Sequence, residues 1–175
     1  MRWQRLFDDL EAEAGELVAL ERDEEITERT RVEVASVRWL ERLRGSLGRH
    51  VTLDLQGAGP VRGTVGYVGP DWVLLTDGLS EALVPMASVL TVEGAARAAP
   101  ATTGPVPLTW AAAWRRLAAD RAVVRLTRVD GARVRGKVRQ VGADFVEIDR
   151  GSGLPVLMIC WAGVAVAHAA DAEEL

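Results

Sequence analysis

The sequence predicts an α+β protein in which one small β-barrel unit of about five antiparallel strands occurs twice, each copy preceded by a helix, behind an amphipathic helical N-terminal segment. Three observations predict it. Apolar residues recur every three or four positions as far as Leu47, they alternate with a period of two from Val51, and the alternating stretch Val51–Val92 returns as Val124–Val166. A helix gathers every third and fourth residue on one face and a strand every second, so a change of period marks a change of element.

Trp3, Leu6, Phe7, Leu10, Ala14, Leu17 and Leu20 form the apolar stripe of the first helix, with Asp8, Asp9, Glu11, Glu13 and Glu16 on its other face. Arg22–Glu25 interrupts it. Ile26, Thr30, Val34, Val37, Leu40, Leu43 and Leu47 continue a second helical pattern, and Gly48 is placed to stop it. From His50 the chain reads as a meander. Val51, Leu53 and Leu55 alternate, then Val61, Gly63, Val65 and Tyr67, and the runs Trp72–Leu75 and Ala82–Val92 follow across turns at 57–60, 69–71 and 77–78. Residues 94–107, rich in Ala, Thr, Gly and Pro, read as a linker. Leu108–Arg121 carries Trp110, Trp114 and Leu117 on a short helix, after which the strand pattern returns.

Shifting the first unit by 73 positions aligns 11 identical residues in 28. Val51, Leu53, Val61-Arg62-Gly63, Val65, Val68-Gly69, Asp71, Val73 and Gly78 meet Val124, Leu126, Val134-Arg135-Gly136, Val138, Val141-Gly142, Asp144, Val146 and Gly151. Trp72 faces Phe145. One extra residue near Ser152 is expected to move the remainder to an offset of 74, pairing Leu83 with Leu157 and Val92 with Val166. The domains so defined are a helical segment at 1–48, a first unit at 49–93, the linker at 94–107, a helix and second unit at 108–170, and a tail at 171–175.

Composition narrows the class. At 175 residues, 49% hydrophobic and 26% charged, the chain is globular. Its longest apolar run, Leu154–Ala167, contains Pro155 and Gly163 and is shorter than a membrane span, so no membrane partner is expected. The acidic start MRWQRLFDDLEAE lacks a signal core, and Cys160 is the one cysteine, which together predict a cytoplasmic protein without disulfides. The net charge of −4 is uneven. Residues 1–36 hold five Arg against eleven acids, whereas 110–150 hold nine Arg and Lys137 against five.

A helix followed by short strands with a V-x-L start and the central pattern G-x-V-x-x-V-G-x-D-[WF]-V resembles the Sm-like fold, over about 45 residues of each unit. The C-terminal barrel of bacterial ribosome maturation factors shares this SH3-like topology. The two-unit pattern is similar to uncharacterised actinobacterial proteins, some labelled Fis-family transcriptional regulators, although the tail here reads as strand where a helix-turn-helix would need a helix. Sm-like proteins that bind uridine-rich RNA carry an acidic residue six positions after the strand-two glycine and often an asparagine four later. Here those places hold Gly69 and Val73, then Gly142 and Val146. The second RNA-binding loop is replaced by Pro85-Met86-Ala87-Ser88 and Ile159-Cys160-Trp161-Ala162. The resemblance thus implies the fold and not the RNA-base recognition.

The candidate sites are few. Arg133, Arg135, Lys137 and Arg139 alternate with Val134, Gly136 and Val138, which places four cations on one strand face with Arg125 nearby: a face for nucleic acid or for an acidic partner. Gly131–Lys137 has the spacing G-x4-G-K, but Val138 stands where a phosphate loop needs Ser or Thr, and the segment runs into a strand. His50 and His168, the two histidines, have no metal-ligand spacing around them. Cys160 reads as a buried, inert thiol, Asp71 and Asp144 as turn residues, and Trp72 and Phe145 as barrel interior. Trp3, Trp39, Trp110, Trp114 and Trp161 read as anchors between helix and barrel. No catalytic residues, metal or cofactor are expected, and no small-molecule substrate. The expectation is a non-enzymatic binding or assembly protein working through protein–protein association or homo-oligomerisation, with Trp3, Leu6, Leu10, Leu17 and Leu20 as an oligomerisation helix. The alternative is an RNA- or DNA-binding regulator using the basic face of the second unit.

Overall fold

A computed structural model describes residues 38–97, 108–151 and 153–170, and those from Trp39 onward form one compact unit. The expected oligomerisation stripe (Trp3, Leu6, Leu10, Leu17, Leu20), most of the expected linker and the tail at 171–175 lie outside the described residues. Helix α1 (Trp39–Arg44) buries Leu43 and ends before Leu47, the last position of the helical pattern. Leu47 instead bridges Val65, and Gly48, at φ +74°, sends its N–H to the Val65 carbonyl. The strands follow as β1 (His50–Leu55), β2 (Gly59–Val68), β3 (Trp72–Asp77), β4 (Ser80–Pro85), a 3-10 turn (Met86–Ser88) and β5 (Val89–Glu93). Helix α2 (Trp110–Ala119) opens the second set, β6 (Val123–Arg128), β7 (Arg133–Val141), β8 (Phe145–Asp149), β9 (Leu157–Cys160), a 3-10 turn (Trp161–Gly163) and β10 (Val164–Ala169).

The ten strands of the described residues belong to one open antiparallel sheet in the order β5-β1-β2-β3-β4-β10-β6-β7-β8-β9. Each half has the same internal order, and the main-chain hydrogen bonds repeat as well. Val65 N–H donates to the Arg49 carbonyl as Val138 donates to Ala122, and Gln56 donates to Ser88 as Val129 donates to Gly163. A bulge at Leu90, where Asp54 pairs Thr91 and Leu55 pairs Val89, has its counterpart at Ala165. These matches correct the expected alignment. After the β3–β4 turn the offset is 75 rather than 74, since Val84 opposite Val73 corresponds to Ile159 opposite Val146, and Val92 opposite Leu53 to Ala167 opposite Leu126. A second inserted residue is invisible in an alignment of similar apolar letters because the pairing partners, not the letters, define the place.

The residues expected to begin the linker are not loose. Ala96 is buried, its N–H donates to the Ser46 hydroxyl, and its carbonyl accepts from Arg42 Nε at 2.8 Å. They fasten the end of β5 to α1.

The join between β4 and β10 organises the core. Cross-strand partners share a face, and one row runs Val65–Leu75–Ala82–His168–Arg125–Arg135 across it. Its first three residues are buried in the core of the first half; Arg125 is exposed. The adjacent row Tyr67–Leu74–Leu83–Ala167–Leu126–Val134 does the opposite, lying on the outside of the first half and entering the core of the second. The sheet therefore exchanges inside for outside at the join, which makes β10 two-faced. Val166 packs in the first core with Leu43, Leu53 and Val84, while Val164 and Ala167 pack in the second with Trp114, Val146 and Ile148. Ser88, 1% exposed, stitches the bulge, its hydroxyl 2.8 Å from the Ala165 carbonyl and 2.9 Å from that of Pro85.

Two backbone positions explain repeated residue types. Gly63 and Gly136 occupy equivalent places in β2 and β7: a Cβ on Gly136 would stand 2.3 Å from the Asp149 carbonyl oxygen, which β7 cannot accommodate, and one on Gly63 would stand 3.0 Å from that of Thr76, a tight approach. Gly48 has its counterpart in Arg121, also left-handed at φ +49°, which closes α2 with N–H bonds from Arg121 to Ala118 and from Ala122 to Leu117. Glycine carries no steric penalty at such a place and arginine does. We predict that Arg121→Gly stabilises the protein by about 1 kcal/mol and that Gly136→Ala destabilises it by about 3 kcal/mol, both read as shifts of the urea unfolding midpoint.

Candidate binding cleft and basic face

The basic face is built on β6 and β7 as the alternation predicts. Arg125, Arg133, Lys137 and Arg139 are exposed and Arg135 is half-buried, while Gly136 and Val138 face the core. Register divides this row more sharply than spacing does. Arg125 lies directly opposite Arg135, and Thr127 opposite Arg133. Lys137, by contrast, lies opposite Asp149 on β8, and Arg139 falls at the bulge where Val138 pairs Ile148 and Gln140 pairs Glu147. The expected run of four equivalent cations is thus two groups: Arg125, Arg133 and Arg135 together, and Lys137 and Arg139 apart from them. The bulge that removes Arg139 has no signature in the letters of the strand.

The first group opens onto a cleft of about 810 Å³ between the two halves. One wall is the β6–β7 face with Arg125, Arg133 and Arg135; the other comes from the first half and brings Arg62, Asp77 and Ser80. Leu75, Ala82 and Val166 form an apolar floor. Arg62 and His168 were outside the sequence-derived set. Arg62 could have been found only as the repeat equivalent of Arg135, and His168 only from the β10 register that puts it beside Arg125 and Ala82. Burial pushes the His168 imidazole below the ordinary histidine range, the Arg125 guanidinium pushes it the same way, and a hydrogen bond with the Glu81 main chain opposes them.

The aromatic residues serve a different purpose. Trp72 does not fill the core of its own half: it packs with Tyr67 against Trp110, which meets Trp114 and Trp161 edge-on at centroid distances of 5.4 and 5.9 Å. Asp71, expected to serve a turn, accepts the Trp110 N–H through Oδ1 at 2.9 Å, and Trp72 Nε1 donates to the Leu108 carbonyl at 2.7 Å. The start of α2 is therefore held by the first half, with Thr109 as its N-cap. Phe145 is half-buried beside Gly142, and Trp39 is exposed rather than anchored. Cys160, expected buried, is exposed on β9. Ile159 takes the inward place, and among the described strands β9 pairs with β8 alone.

Among the described residues no group of His, Cys, Asp and Glu could hold a metal ion, and no helix is long and apolar enough to cross a membrane. No protein-family model matches the chain, and no curated protein matches it.

Two outcomes follow from this geometry. Replacing Asp71 by Ala removes the acceptor for the Trp110 N–H and is expected to cost about 1 kcal/mol, measured by urea unfolding followed through tryptophan fluorescence. His168 is held neutral in the folded protein while the unfolded chain takes up the proton near pH 6.5, so its contribution falls as the solution is acidified through and below that value. The loss of stability between about pH 7.5 and about pH 5.5 is expected to be smaller in His168→Gln than in the parent protein.

Proposed function

We propose that the protein is a non-catalytic assembly protein of two Sm-like units that joins copies of itself, or a partner, through its sheet edges. The curled Sm-like form of each half is supported by its internal strand order 5-1-2-3-4, by the side-chain-free crossings at Gly63 and Gly136, and by the 3-10 turn before its last strand. The observation that carries the assembly reading is the β4·β10 join. It pairs the fourth strand of one unit with the fifth strand of the other, and the sheet ends on the same two kinds of strand, β9 and β5.

Unpaired edges associate unless charge, proline or a covering segment prevents it. Here β5 presents Leu90 at 61% exposure and β9 presents Met158 at 57%, and neither strand contains lysine or proline. A groove of about 500 Å³ lined by Trp39, Met86 and Leu90 runs beside β5. The contact is heterologous, so repetition closes a ring or extends a filament. Carrying the Leu83–Ala167 register across by the offset of 75 puts Met158 of one copy opposite Val92 of the next.

Sedimentation velocity of the full chain is expected to show mass rising with concentration, and Leu90→Lys with Met158→Lys is expected to return it to the monomer. In a Cys160→Ser background, Met158→Cys with Val92→Cys is expected to form a disulfide-linked ladder on oxidation, and Met158→Cys with Thr91→Cys far less. A monomer at all concentrations, or a ladder indifferent to register, contradicts the reading. The second reading, nucleic-acid binding through Arg125, Arg133, Arg135, Lys137 and Arg139, is favoured by the exposure of that face and predicts affinity that falls steeply with salt.

A further inference from the structure

We infer that successive copies meet as the two halves of one chain do, with the outer row Gln140–Glu147–Met158 seated in the groove beside β5 of the next copy and Gly163 keeping the contact weak enough to reverse. The inference rests on the assembly reading above and names the surface and the residues that set its strength. Its template is the β4·β10 join. There the outer row of the first half, Tyr67–Leu74–Leu83, packs on the core of the second half together with Trp161. Moving the receiving residues Trp161, Val164 and Ala167 back by 75 gives Met86, Val89 and Val92, all of which line the groove beside β5. Moving the row forward, by 73 on β7 and β8 and by 75 on β9, gives Gln140, Glu147 and Met158, which pair with one another in register.

The side chains exchanged between the two contacts match in chemistry. The row gains a carboxylate at Glu147, where the first half has Leu74, and the groove carries Arg42 beside Trp39. Opposite charges across an interface fix partner and register, and Met158 supplies an adaptable apolar side chain to Met86 and Leu90. The buried hydrogen bond is where the two contacts differ. In the join the Ser88 hydroxyl lies 2.8 Å from the Ala165 carbonyl at the bulge. Gly163 stands in the place of Ser88, since both end a 3-10 turn, Val164 N–H donates to Trp161 as Val89 donates to Met86, and both carbonyls accept from equivalent strands. The carbonyl of Leu90, counterpart of Ala165, therefore faces a glycine of the next copy instead of a serine. The contact between copies keeps the shape of the join and lacks its stitch. A Cβ on Gly163 would meet Ile159 Cγ2 at 3.7 Å, an ordinary contact, so serine fits there.

The test is the self-association constant of the full chain, from sedimentation velocity over a range of concentrations. Gly163→Ser is expected to tighten association about fivefold, the worth of one net hydrogen bond, while Gly163→Ala, which adds the Cβ without the hydroxyl, stays within about twofold of the parent. Glu147→Lys is expected to weaken association about threefold or more, and Asp120→Lys, the same change of charge at the end of α2, to leave it within about twofold. Glu147→Gln, the milder change, repeats the loss should Glu147→Lys fail to fold. An assembling parent in which Gly163→Ser acts no differently from Gly163→Ala, or Glu147→Lys no differently from Asp120→Lys, overturns the inference and leaves the assembly reading standing. A parent and a Gly163→Ser variant that both stay monomeric at every concentration remove the reading and the inference together, and assign the groove to a different occupant.

Discussion

The pairing of β4 with β10 is the constraint on which the other features rest. A sheet strand has two faces, and in most small barrels one meets a core and the other meets water. Here the face that is interior on one side of the join is exterior on the other, so β10 supplies Val166 to one core and Val164 and Ala167 to the second. The first core is thus completed by a strand that belongs, in sequence, to the second half. The bulge at Ala165 makes this possible by letting residues on either side of it change parity, and the buried Ser88 hydroxyl satisfies a carbonyl that the bulge takes out of the ladder.

Around that join the two copies have diverged by role. The outer face of the first half, with Tyr67, Leu74 and Leu83, is apolar because it is covered by the aromatic cluster of α2 and Trp161. The matching row in the second half is Gln140, Glu147 and Met158, polar except at the free edge. Likewise Thr52 opposite Arg62 in the first half becomes Arg125 opposite Arg135 in the second, concentrating cations where the two walls of the cleft meet. The repeated strand order supplies the scaffold, and the differences between the halves follow from what each face touches.

Much of this was legible in the letters. Alternation placed β1 and β2, apolar runs marked β3 and, undivided, β4 with β5, and the offset of 73 found the equivalence of Gly63 with Gly136 and of Arg62 with Arg135, because strand period and close approach leave marks in residue type. What was not legible depends on pairing between distant strands. The expectation of two barrels contained no means of seeing that β10 would be shared, since either half read alone has a complete set of five strands. The bulge at Arg139 and the inward turn of Ile159, which leaves Cys160 exposed, likewise belong to register and not to composition. His168 became part of a site only when β10 brought it beside Arg125.

The strand shared by both cores is expected to make one cooperative structure of the two halves. Native-state hydrogen exchange of the full chain tests it most directly, by comparing the slowest amides of the first core, such as those of Leu53 and Val73, with those of the second, such as Leu126 and Val146. One common free energy of opening, reached also by Ala167 and His168 in the join, is the predicted result. Two separate groups of opening energies, with the amides of β10 exchanging faster than either, would contradict it.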